Sequence, residues 1–198
     1  PSLEMAIAHV ETLPGLTAKA IMPVDLFGLP ANYFSINSIA QIHNLVVISD
    51  AAQSFGAQVD NQKVGMLAKI TATSFFPAKP LGCYGDGGAI FTDSDSLDQI
   101  FRSIRAHGKG SEKYDIVRIG LNARLDTLQA AILLEKLAIF DDELAARRAV
   151  ARKYDEVFLE NEIPIPPRPK NSLSAWAQYT ISIANREVVQ SALIEKGV

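Results

Sequence analysis

Short apolar runs alternate with helix-period segments through the first half of this chain, and that alternation limits the fold more than any other feature. "AKAIMPV" (18–24), "LVVIS" (45–49), "ITATSFF" (70–76) and "GGAIFT" (87–92) have the length and apolar density of buried strands. "SLEMAIAHVE" (2–11) spaces Leu3, Ile7 and Val10 as a helix does, and "ANYFSINSIAQIHN" (31–44) does the same with Phe34, Ile36, Ile39, Ala40 and Ile42. "SDSLDQIFRSIRAHG" (94–108) opens on polar residues and stops at Gly108, again a helix. Strands interleaved with helices pair through crossovers, so the fold class is α/β with a mostly parallel sheet covered on both faces.

After residue 120 the pattern changes. Leu125 to about Leu159 is helical with a break near Asp141, and "IPIPPRPKN" (163–171) reads as a stiff linker. "AWAQYTISIA" (175–184) alternates as a strand, and "NREVVQSALIEKG" (185–197) reads as a helix with Asn185 at its N-cap. One strand and one helix bury no core of their own, so a second domain is expected to be incomplete. The chain also opens without an initiator Met on a helix at residue 2, the start expected of a processed chain or a central fragment.

Composition removes several function classes. A net charge of −3 gives no reason to expect a nucleic acid or an anionic membrane as partner. The best apolar run, "LQAAILLEKLAIF" (128–140), is interrupted by Glu135 and Lys136. Cys83 is the single cysteine, which leaves no intramolecular disulfide and fits a reducing, cytoplasmic setting. The N-terminus lacks the basic and apolar blocks of a signal peptide. His9, His43 and His107 have no ligand spacing, so no metal site is expected.

The segment "SFFPAKPLGCYGDGGA" (74–89) carries the chemistry. Lys79 stands between Pro77 and Pro80 and ahead of Gly82, Gly85, Gly87 and Gly88. Ligands of open parallel sheets bind beyond the carboxyl ends of the strands, where Asp50 follows one run and Ser74 and Lys79 follow the next. A lysine, a carboxylate and a hydroxyl at one crevice suit pyridoxal 5'-phosphate: the amine forms a Schiff base and the acid keeps the pyridine nitrogen protonated. On spacing alone, a solvated loop lysine remains the alternative. A nucleotide loop does not fit, because the P-loop pattern is absent and Ile90 stands where a dinucleotide fingerprint needs its third glycine.

"DAAQSFGA" (50–57), "SFFPAKPLGCYGDGGAIFTD" (74–93) and "RIGLNARLDTLQAAIL" (118–133) resemble the DegT/DnrJ/EryC1/StrS family of sugar-nucleotide aminotransferases. The resemblance runs at least from "AIMPVDLFG" (20–28) to "SAWAQYTI" (174–181). It implies a three-layer α-β-α fold of the type I pyridoxal-phosphate enzymes. Residues 1–145 would then form the large cofactor domain without its front part, and residues 146–198 a linking helix and the start of a small α/β domain. It further implies that Lys79 is the Schiff-base lysine, that Asp50 pairs with the pyridinium nitrogen and that Gln53 lies by the ring and its phenolic oxygen. Ser74 would bind the cofactor phosphate, and Asn122 would reach the phosphate of a neighbouring subunit in a homodimer with shared sites. Arg124 becomes a candidate for an anionic part of the substrate, with pairing to Asp126 or the following helix start as the alternative.

The implied reaction moves an amino group from L-glutamate to a UDP-linked keto sugar, a 3-keto N-acetylglucosaminuronate, in bacterial surface polysaccharide (O-antigen) biosynthesis. Ser49 replaces the glutamate common before the aspartate, and Ala68-Lys69 replaces the usual Gly-Asp. Related dehydratases carry histidine in place of the lysine, and Lys79 argues against that activity. Family members are roughly twice this length, so a piece alone is expected to turn over little, and a truncated non-catalytic module with a binding or assembly role is the alternative. Cys83 is read as packing, Trp176 as core of the small domain, and Glu143 and Arg147 as an i,i+4 pair.

Overall fold

The computed structural model describes residues 2–112 and 114–198. Its elements run in the order α1 (Ser2–Glu11), β1 (Ala20–Ile21), α2 (Tyr33–Ile42), β2 (Val46–Asp50), β3 (Gln58–Val59), β4 (Gln62–Lys63), β5 (Ile70–Ser74), β6 (Gly88–Phe91), α3 (Asp95–Arg105), α4 (Thr127–Ala138), α5 (Phe140–Glu160), β7 (Ser172–Leu173) and α6 (Arg186–Glu195). The main sheet has the order β1-β2-β5-β6; β1, β2 and β5 are parallel and β6 runs antiparallel to β5. A second, small antiparallel sheet has the order β4-β3-β7.

Local chemistry explains most boundaries. Asn32 caps α2 by accepting from the Ser35 amide, Ser94 caps α3 through the Leu97 amide, and Asp126 caps α4 through the Gln129 amide. β1 is short because Pro23 has no amide hydrogen to offer, yet pairing resumes beyond it: the Asp50 amide donates to the Pro23 carbonyl at 2.9 Å and the Asp25 amide to the Asp50 carbonyl at 3.0 Å. The β3–β4 turn places Asp60 and Asn61 at φ of 48° and 63°, the left-handed pair that a two-residue hairpin requires.

Two apolar clusters hold the layers together. Ile7, Ile21, Tyr33, Ala40 and Val47 join α1 and α2 to the β1–β2 side of the sheet. Phe75, Leu81, Cys83, Leu133, Phe140 and Leu144 join the segment after β5 to α4 and α5. Thr71, the second residue of β5, is the one buried side chain among the described residues whose hydroxyl lacks a partner.

Three expectations need correction. "AWAQYTISIA" is not a strand: pairing in that region is confined to Ser172–Leu173, because beyond it no neighbouring strand meets the segment among the described residues. Asn185 precedes α6 at φ 55° without a side-chain capping bond. Arg147 does not pair with Glu143; it donates to the Trp176 carbonyl at 3.2 Å and ties α5 to the C-terminal segment.

Candidate active site

Asp50 ends β2 and Ser74 ends β5, so both stand at the carboxyl edge of the parallel strands. Asp50 pairs with Ala72 in register, and strand alternation then puts Asp50, Ala72 and Ser74 on one face of the sheet. Asp50 is half-buried. Its Oδ1 accepts from the Ala52 amide at 3.0 Å, while Oδ2 has no donor among the described residues. The Ser74 hydroxyl oxygen accepts from the Phe76 amide at 3.2 Å, which leaves its proton available to an acceptor.

Lys79 sits on the loop between β5 and β6, and that loop is pinned at both ends. The Phe75 amide donates to the Gly87 carbonyl and the Cys83 amide to the Phe75 carbonyl, each at 2.8 Å. From α4, Lys136 Nζ donates to the Gly82 carbonyl at 2.6 Å and Gln129 Oε1 accepts from the Tyr84 amide at 2.8 Å. The half-buried Lys79 amine itself has no ion pair or hydrogen bond among the described residues. A rigid loop therefore presents a free primary amine.

Two glycines of this segment serve close backbone packing, Gly82 within the loop and Gly88 at the start of β6 against β5. A Cβ on Gly82 would meet the Pro77 carbonyl oxygen at 2.6 Å, and one on Gly88 the Thr73 carbonyl oxygen at 2.7 Å. Gly85 does not share this constraint, since the nearest atom to its Cβ would be Gln129 Nε2 at 3.4 Å. Cys83 is fully buried, with Sγ 3.0 Å from the Phe75 carbonyl oxygen and 3.1 Å from that of Gly85.

Gln53 follows β2 with its side chain already committed in part. Its Oε1 accepts from the Phe27 amide at 2.6 Å, which holds Phe27 at the unusual φ of 61° and leaves the Gln53 amide hydrogens as donors. Asn122 and Arg124 lie on the exposed stretch before α4, where Arg124 Nε donates to Asn122 Oδ1 at 3.1 Å. Neither bonds to Asp50, Gln53, Ser74 or Lys79. Arg124 lines a hollow of about 670 Å³ bounded by Ala72, Gly88 and Ile90 of the sheet and by Arg102 and Arg105 of α3. Asp126, its alternative partner, is engaged at the α4 cap.

Sequence reasoning missed a buried polar group directly behind this edge. Asp25 is fully buried: Oδ1 accepts from the Ala31 amide at 2.9 Å and the Tyr33 hydroxyl at 2.8 Å, and Oδ2 from the Ser54 hydroxyl at 2.6 Å. Burial pushes the Asp25 carboxyl above the usual carboxylate value, its hydrogen bonds oppose that shift, and the Asp50 charge adds to it. The one available signal was position, because "PVD" places Asp25 at a strand's carboxyl end as surely as "VISD" places Asp50.

Residues 2–198 match the family model described as the DegT/DnrJ/EryC1/StrS aminotransferase family. The chain belongs to this family. It is 50% identical over 180 residues to the UDP-2-acetamido-2-deoxy-3-oxo-D-glucuronate aminotransferase of Pseudomonas aeruginosa, which covers 91% of this chain and 50% of that protein. It is 39% identical over 197 residues to the UDP-N-acetyl-3-dehydro-alpha-D-glucosamine 3-aminotransferase of Acidithiobacillus ferrooxidans, covering 98% of this chain and 52% of that one. Among solved structures, a DegT DnrJ EryC1 StrS aminotransferase from Brucella abortus superimposes with a TM-score of 0.95 at 51% identity, over 99% of this chain and 52% of that chain. The chain thus spans about half the length of the relatives it matches.

Aminotransferases of this family depend on pyridoxal phosphate, and the α/β fold with its mostly parallel sheet is theirs. The donor set here fits that cofactor: an unpartnered amine, a half-satisfied carboxylate, an amide with free hydrogens and a serine hydroxyl stand on the two adjacent strand ends and the loops that follow them. Among the described residues, His, Cys, Asp and Glu form no metal-binding group of three or more, and no helix is long and apolar enough to cross a membrane.

Proposed function

We propose that this chain carries the cofactor-holding part of an aminotransferase that moves an amino group from L-glutamate to a UDP-linked 3-keto N-acetylglucosaminuronate. Its similarity to the Pseudomonas aeruginosa enzyme supports the sugar, and one observation carries the chemistry: the Lys79 amine is unpartnered on a pinned loop at the sheet edge that also bears the open Asp50 carboxylate. When bound, pyridoxal phosphate supplies an electron sink that stabilises negative charge on the carbon losing its proton.

Each residue then has a defined task. Lys79 would hold the cofactor through its amine and, with that amine free, would move the proton at the reacting carbon. The open Asp50 Oδ2 oxygen would accept a hydrogen bond from the pyridine nitrogen and keep it charged. The free Gln53 amide hydrogens would serve the phenolic oxygen, and the Ser74 hydroxyl would donate to the phosphate. Asn122 completes the phosphate site of a second copy in a homodimer, a task that suits its exposed position. Arg124, on the rim of the 670 Å³ hollow, meets an anionic part of the sugar nucleotide.

Residues 1–145 are assigned to the large domain and 146–198 to the linking helix and the start of the small domain, with α5 passing continuously from one to the other. The enzyme would act in the cytoplasm, in surface polysaccharide biosynthesis. A chain of this length assayed without the remaining half would turn over little, because half of each relative lies outside the match.

The test is amine transfer in the complete polypeptide that carries this sequence. With pyridoxal phosphate, L-glutamate and the UDP-linked 3-keto uronate, 2-oxoglutarate and the 3-amino sugar should form together. The products should vanish in Lys79→Ala. Transfer that persists in Lys79→Ala would overturn the assignment, and transfer to other keto sugar nucleotides at equal rate would overturn the substrate.

A further inference from the structure

Asp50 is useful to a bound cofactor only if its carboxylate is held in place, and the structure shows what holds the backbone that carries it. The Asp25 amide donates to the Asp50 carbonyl at 3.0 Å, so the two aspartates are joined by backbone. The Asp25 carboxylate then grips the chain on both sides of Asp50. Downstream it accepts from the Ser54 hydroxyl at 2.6 Å; upstream it accepts from Tyr33, whose hydroxyl lies 2.5 Å from Ser49 Oγ. Tyr33 has one proton and gives it to Asp25, so Ser49 must donate to Tyr33, and the proton order is fixed as Ser49 to Tyr33 to Asp25. Asp25, Ser49 and Ser54 are all buried, so water does not compete for these bonds.

We infer that Asp25 is a positioning residue for the cofactor: it acts through Ser49, Ser54 and the Asp50 backbone to fix the Asp50 carboxylate and the Gln53 amide. This rests on the reading of Asp50 as the partner of the pyridine nitrogen. The same network gives Ser49 a defined part, the donor to Tyr33. An ionised glutamate there would face Tyr33 as a second acceptor, whereas serine supplies the donor that the sequence of bonds needs. Gln53 is tied into the same unit, since its Oε1 holds the Phe27 amide two residues beyond Asp25.

A buried carboxylate is costly to keep in a fold unless its bonds are complete, and all three donors here are aimed at it. Asparagine has the same shape. It keeps one acceptor for Ala31 and Tyr33, and its amide faces Ser54, whose hydroxyl can accept instead. Asp25→Asn therefore preserves packing while reversing one bond and removing the charge. Tyr33→Phe cuts only the upstream arm.

The experiment uses the complete polypeptide. For the parent, Asp25→Asn, Tyr33→Phe and Asp50→Asn, three quantities are measured: the unfolding midpoint without cofactor, the pyridoxal-phosphate dissociation constant, and the visible absorption maximum of the loaded protein. Asp25→Asn should weaken cofactor retention about tenfold or more, as misplaced supporting groups do, and should shift the visible band, with the cofactor-free midpoint near the parent's. Tyr33→Phe should move both cofactor readouts in the same direction by less. A variant that unfolds at a lower temperature yet binds cofactor with parental affinity and spectrum would show a merely structural Asp25 and overturn the inference. If Asp50→Asn alters affinity and spectrum while Asp25→Asn does not, the inference fails and the Asp50 assignment stands. If neither does, both fail.

Discussion

Alanine at Gly82 should damage the lysine loop, and alanine at Gly85 should not. The Gly82 Cβ would lie 2.6 Å from the Pro77 carbonyl oxygen and 2.7 Å from that of Phe76, both backbone atoms of the turn that carries Lys79. Real Cβ contacts stay above 3.0 Å, so the Pro77 carbonyl must retreat by at least about 0.4 Å. That shift strains a turn held by the Lys79 amide to the Phe76 carbonyl at 2.8 Å and by the Lys136 bond to Gly82 itself. Forced overpacking of this kind costs about 1–3 kcal/mol, partly offset by the roughly 0.4–1 kcal/mol gained when glycine freedom is removed from the unfolded chain. Gly85→Ala meets only the Gln129 side chain, nearest at 3.4 Å, and should stay within about 0.5 kcal/mol of the parent. Urea unfolding of both variants, with pyridoxal-phosphate titration followed by absorbance, measures the two consequences. Gly82→Ala should be less stable and bind cofactor more weakly, because Lys79 moves with the turn. Equal behaviour of the two variants would refute the reasoning.

Three further outcomes follow from named contacts. Thr71→Val removes a buried hydroxyl that has no partner and should raise unfolding free energy by roughly 1 kcal/mol; a loss of that size in urea unfolding would show that the hydroxyl is bonded. Lys136→Met keeps the apolar stem but cuts the bond to the Gly82 carbonyl, so it should cost about 1.5–3 kcal/mol and loosen the lysine loop, visible as faster amide exchange at Cys83 and Lys79; unchanged exchange would contradict this. Asp25 has a folded-state pKa raised from 3.8, chiefly by burial, so between 3.8 and that raised value the native chain holds a proton the unfolded chain has lost. Stability from this group therefore falls as pH rises through that window, and the parent minus Asp25→Asn difference should fall with it; a flat or rising difference would contradict the sign.

Much of the fold was legible where periodicity is set locally. The helices α1, α2 and α3 and the strands β2, β5 and β6 follow runs whose own spacing fixes which face is buried. What was not legible depends on distant partners. β3 pairs with β7 across more than a hundred residues, and two-residue strands carry no periodic signal. The alternation in "AWAQYTISIA" was real, but a strand exists only where a second strand supplies hydrogen bonds. The strand-end rule anticipated the positions of Asp50 and Ser74 at the carboxyl edge and of Lys79 on the loop that follows, since backbone topology alone sets them. Asp25 escaped because its importance lies in burial and in donors from Ala31, Tyr33 and Ser54, none of which a strand-end position reveals.

The central claim is that the free amine on the pinned loop holds the cofactor. The most direct measurement loads the complete polypeptide with pyridoxal phosphate, reduces it with borohydride, and maps the stable adduct by peptide mass. One adduct on Lys79, absent in Lys79→Ala, is the result expected from the geometry. An adduct on another lysine, or the same adduct in Lys79→Ala, would contradict it.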